Sequence, residues 1–126
     1  MKPVSFQTFW AGLVLLGPLL TGCGRHDEAP PEMSTQQLAD HLNTTFAKSS
    51  PKAKEAEAGL AAALKNGQLP MAFAEARTLA ANPDLTPEER AAAAQAIVTT
   101  VKELKKAADS GDKEAAEVVH AYTSSR

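Results

Sequence analysis

A chain of 126 residues with 13 Lys and Arg against 15 Asp and Glu has room for one domain and carries a formal charge of −2. Its densest basic group, Lys102, Lys105 and Lys106 with Glu103 among them, reads as the solvated side of a helix. That leaves no clustered basic face for a nucleic-acid backbone. A single cysteine excludes an internal disulfide and any zinc site built on cysteines.

The first element is Lys2, a mostly apolar run from Val4 to Leu20, and then Thr21-Gly22. A charged start, an apolar middle and a small-residue end make a secretory signal. At about 17 residues the run sits at the short limit for crossing a bilayer, and Ser5, Gln7, Thr8, Gly12 and Gly17 dilute it. Gly17-Pro18 breaks its helix, so the segment that follows can enter a protease cleft extended. The alternative is an uncleaved span followed by an ordinary free thiol.

Leu20-Thr21-Gly22-Cys23 resembles the lipobox of bacterial lipoproteins: an aliphatic residue, a small or hydroxyl residue, Gly or Ala, then Cys. The resemblance covers only this first part of the chain. It implies a signal peptide over 1–22, cleavage between Gly22 and Cys23, and a thioether-linked diacylglyceryl group on Cys23. In many bacteria a third, amide-linked acyl chain (typically palmitate) is added. Two or three acyl chains make a durable anchor where one is marginal. The partner so implied is a lipid bilayer. Gly24, where Asp would retain the protein at the inner membrane of enterobacteria, points to the outer membrane facing the periplasm; the inner membrane and the cell surface stay open as alternatives.

Residues 24–33 carry charges and two prolines with almost no apolar content, which makes a tether of roughly 30 Å if extended at about 3 Å per residue. With Cys23 it forms the segment 23–33. His26-Asp27-Glu28 lacks the preorganised geometry of a metal site.

Residues 34–126 read as helix throughout, with 24 alanines between Cys23 and the C-terminus and no alternating β-branched run. Ser34 and Gln37 form a capping box for a helix presenting Leu38, Leu42 and Phe46. Ser50-Pro51 starts a second, with Ala53, Ala56, Leu60 and Leu64 as its stripe and Asn66-Gly67 as its end. Pro70 opens a third, carrying Phe73, Ala76 and Ala80, closed by Asn82-Pro83. Thr86-Pro87-Glu88-Glu89 starts a fourth that runs to about Asp109 and displays Ala94, Ile97, Val98, Val101, Leu104 and Ala108. After Ser110-Gly111, Asp112 caps a last helix bearing Ala115, Val119 and Tyr122.

The expected fold is all-α: a small alanine-rich bundle or array of four to five antiparallel helices behind the tether. Ala91–Ala94 serves either internal packing or a contact surface. Leu60, Ala63, Gly67 and Ala72 recur at a shift of 44 as Leu104, Ala107, Gly111 and Ala116, the period of helical hairpin repeats or simply the shared punctuation of two hairpins.

Catalytic motifs do not emerge. Three histidines, His26, His41 and His120, lie apart, and no metalloprotease, phosphate-loop or nucleophile-elbow pattern occurs. Glu55/Glu57 and Glu88/Glu89 diverge around their helices and are expected on solvated faces or at a helix start. Met33 and His120 have roughly the order of the axial ligands in b-type cytochrome bundles, although Met33 precedes its helix and no covalent haem motif is present. The expectation is therefore a non-catalytic, membrane-anchored interaction or structural module with no cofactor, acting on another envelope protein. A haem- or metal-binding bundle using His41 or His120, and a small envelope enzyme, are the alternatives.

Overall fold

Free backbone amides at a helix start need partners, and four of the five starts among the described residues carry a side chain placed to supply one. The computed structural model describes residues 31–126, which form α1 (Thr35–Thr45), α2 (Pro51–Lys65), α3 (Leu69–Ala80), α4 (Pro87–Asp109) and α5 (Lys113–Ser124). Ser34 Oγ accepts from the Gln37 amide at 3.2 Å while Gln37 Oε1 accepts from the Ser34 amide at 3.0 Å. Thr86 and Glu89 repeat that reciprocal pair at α4, at 3.2 and 3.0 Å. Ser50 and Asp112 cap α2 and α5. Only α3 begins without a side-chain cap, and it has Pro70 in its first turn.

Gly67 and Gly111, at φ of 69° and 101°, turn the chain out of α2 and α4 in the left-handed region that glycine adopts without steric cost. Both turns close alike: the Gln68 amide donates to Ala63 O and the Asp112 amide to Ala107 O. The shift of 44 is thus a shared turn. It does not extend into the following helices, because Ala72 is buried while Ala116 is exposed and Ala115 is buried in its place.

The all-α expectation holds. Helices α1 to α4 pack in sequence, each on the next, and α1 also packs on α4, so the four close into a ring. That closure makes a bundle rather than an open repeat array, in which an element touches only its chain neighbours. α5 folds back on α4 and touches α3. The ring encloses the larger core, where Leu38, Leu42, Phe46, Leu60, Leu79 and Ala93 are buried. A smaller core of Phe73, Leu104 and Ala115 sits under α5, with Tyr122 edge-on to Phe73 at 5.4 Å between ring centroids.

Two expectations about faces need correction. On α4 the buried positions are Glu89, Ala92, Ala93, Gln95, Ala96, Thr99, Thr100 and Leu104, whereas Ala94 is exposed and Val98 is 54% exposed. Close approach between helices selects the small residues, and Thr100 becomes compatible with burial by donating its hydroxyl back to Ala96 O. On α2, Glu57 is buried, not solvated.

Candidate functional site

Gly22, Cys23 and His26, on which the lipidation, cleavage and tether readings rest, lie outside the described residues. What is described is how the chain arrives from them. Pro31 O accepts from Gln95 Nε2 at 3.2 Å, and the same amide nitrogen donates to Thr99 Oγ1. Glu32 pairs with Lys102, which holds the Glu32 carboxyl below its ordinary range. Met33 packs against the larger core, off the helix as its place before the Ser34 cap requires. The last residues of the expected tether are therefore laid along α4.

Two open grooves flank this entry. One, of about 500 Å³, lies between α1 and the first half of α4 and is lined by Met33, His41, Thr45, Glu88, Ala91 and Gln95. The other, of about 620 Å³, follows the second half of α4 along Val98, Val101, Lys102, Lys105, Lys106 and Asp109. The expected solvated basic face is thus interleaved with two valines. Their placement follows from helical spacing: positions 98, 101, 102, 105 and 109 share one side of a 3.6-residue helix.

The histidines do not converge. His41 is exposed beside the first groove and His120 is exposed on α5. Met33 belongs to the core of the four-helix ring and α5 to the smaller core, so the structure does not bring Met33 and His120 together. Among the described residues no three His, Cys, Asp or Glu side chains gather as metal ligands. No described helix is long and apolar enough to cross a membrane.

No family model, curated protein or solved structure matches the chain. Its functional reading rests on its own residues.

Two acids carry most of the interior electrostatics. Glu89 completes the α4 capping box and also accepts from the hydroxyl of Ser49, 40 residues earlier in the α1–α2 turn. The Ser49 hydroxyl and the Thr86 amide hold its carboxyl below the ordinary value of 4.5. Glu57 has the opposite environment. Its Oε1 is sealed from solvent with no hydrogen-bond partner among the described residues. Burial raises its pKa, and the charge of Lys65 offsets this only in part.

The capping role of Glu89 is legible as the third residue after a threonine cap; its bond to Ser49 is not. Gln95 gives no sequence signal at all, since its partners are a backbone carbonyl 64 residues away and a threonine on the next turn.

Proposed function

We propose that this protein is a lipid-anchored helical module of the bacterial cell envelope that binds another envelope protein and performs no catalysis. The observation that carries the proposal is Leu20-Thr21-Gly22-Cys23 placed directly after an apolar run and before a proline-containing tether. Behind that tether stands a closed helical bundle whose two buried acids stand apart, Glu89 in a helix cap and Glu57 without a partner among the described residues. The groove between α1 and α4 supports the binding role. It offers the exposed, small Ala91 and the half-buried Met33 beside His41, so a partner helix could approach the α4 backbone closely.

Two measurements test the two halves. Cys23→Ser abolishes acyl labelling and leaves an uncleaved precursor; unchanged size and membrane partitioning would reject the anchor. A photo-crosslinking residue at position 91 of the membrane-bound protein gives a discrete adduct with an envelope protein, and His41→Glu weakens it. An adduct pattern indifferent to His41→Glu would reject the groove as the contact.

A further inference from the structure

One side of α4 is left without a neighbour. Ala92 and Ala93 face the core, but Ala91 and Ala94 are exposed, Val98 is 54% exposed and Val101 is half-buried. Positions 91, 94, 98 and 101 follow a 3-4-3 spacing and fall within about 80° of arc, on the side turned away from the α1, α3 and α5 that pack on this helix. That is the spacing of a seam that packs on a further helix. We propose that a second copy of this chain covers it, with the two α4 helices antiparallel about a two-fold axis.

Size and charge both select a copy of the same helix. A crossing centred at the level of Ala96 sets Ala91 opposite Val101 of the partner copy and Ala94 opposite Val98 of the partner copy. Each contact occurs twice, as an isologous interface requires. Valine meets alanine at every level, so the high end of one helix fills the low end of the other. The groove along Val98, Val101 and Lys102 thereby receives the alanine end of the partner helix.

Charge follows the same register. Lys105 and Lys106 come level with Glu88 of the partner copy, and none of the three is in an ion pair among the described residues. Glu88 and Lys106 are 18 residues apart, five turns of about 3.6 residues, so they stand on one flank of α4. An axis normal to the helix pair keeps that flank on the same side in both copies and brings opposite charges together. A parallel pairing would instead set valine on valine, alanine on alanine and lysine against lysine, which is unfavourable at an interface.

The pairing goes beyond the partner-binding groove proposed above. Ala91 lies at the rim that the two contacts share, while Met33 and His41 stay open on one flank of the pair. The same axis turns both Pro31–Gln95 contacts to one side, so two chains anchored in one bilayer enter the dimer from the same direction. One helix pair is a small interface, and confinement by the proposed anchors raises its occupancy.

The test uses the full chain carrying Cys23→Ser in zwitterionic detergent, so that no native thiol takes part. Chains with Ala94→Cys and chains with Val98→Cys, distinguished by a size tag, are mixed under a mild oxidant. Their mixed disulfide forms at least tenfold faster than that between Val98→Cys and Met71→Cys, Met71 being equally exposed on α3. It also forms faster than either homodimer. Glu88→Lys lowers the rate several-fold, Lys105→Glu with Lys106→Glu does the same, and the three together restore it. Val98→Glu, at an exposed position, leaves the helical signal in circular dichroism unchanged and gives monomer by sedimentation equilibrium where the parent chain dimerises. Equal rates for all cysteine pairs, a Val98→Cys homodimer that forms fastest, or rates indifferent to charge reversal would overturn the proposal. So would a fluorophore on Val98→Cys that responds to anionic vesicles and not to protein concentration, which assigns the face to the bilayer. No other envelope protein is present in these mixtures, so their failure and the failure of the crosslink from position 91 to another protein are read separately.

Discussion

Glu57→Gln should stabilise the protein at neutral pH and lose that advantage in acid. Glu57 stands in α2 with 9% of its surface exposed, and its Oε1 is both sealed and unpartnered among the described residues. A buried acceptor left without a hydrogen bond costs about 1–3 kcal/mol, and a charged one lies toward the upper part of that range. Glutamine leaves a polar atom at the sealed position and removes only the charge, and Lys65 already returns part of that cost, which brings the expected gain to about 0.5–1 kcal/mol. For a bundle of this size each kcal/mol moves the melting temperature by about 4–8 °C. Burial raises the folded-state pKa above the ordinary 4.5, so the folded form binds the proton more tightly than the unfolded one. Stability from this site is therefore fully present below about pH 4.5 and is lost as pH rises through the raised folded value. Glutamine does not titrate, so urea unfolding curves of mutant and wild type, followed by far-UV circular dichroism, should separate at pH 7 and converge near pH 4. A mutant that is equally or less stable at pH 7, or an offset of the same size at both pH values, would refute the reasoning.

Glu89→Ala should destabilise by about 1–3 kcal/mol, since it removes a buried acceptor shared by the α4 cap and Ser49. Because the Glu89 pKa is lowered, its contribution is present above about pH 4.5 and is lost as pH falls through the folded value; Glu89→Ala should thus flatten the acid limb of the stability profile that Glu57→Gln leaves intact. Gly59→Ala should stabilise by about 0.5–1 kcal/mol in chemical denaturation, because a Cβ there meets only the end of the Glu75 side chain, at 3.4 Å. Gly67→Ala should cost about 1 kcal/mol by the same assay, since the space is open and the positive φ is not.

What could be read in advance was what neighbours in sequence decide. The capping boxes at Ser34/Gln37 and Thr86/Glu89, the prolines in first turns and the glycines after α2 and α4 each act within a few residues, and each stands where the sequence put it. The stripe Leu38, Leu42 and Phe46 is wholly buried, because α1 has two neighbours on one side. The face of α4 could not be ranked by side-chain size. In a core built by close backbone approach, Ala93 and a back-bonded Thr100 are better buried than Val98. Nor could Glu57 be placed, because alternate acids on a helix look alike until one is covered. The bonds joining Ser49 to Glu89 and Glu32 to Lys102 span 40 and 70 residues and depend on the ring having closed.

Among the described residues, half of the eighteen buried apolar positions are alanine. Truncation, the ordinary way of asking what a residue does, therefore has nothing to remove at half of these positions. Enlargement is the informative perturbation: Ala93→Leu or Ala76→Leu would wedge helices apart, at a cost of about 1–3 kcal/mol or more. Alanine scanning would report on the buried leucines and phenylalanines and leave the alanine half of this interior untested, which a leucine or tryptophan scan would reach.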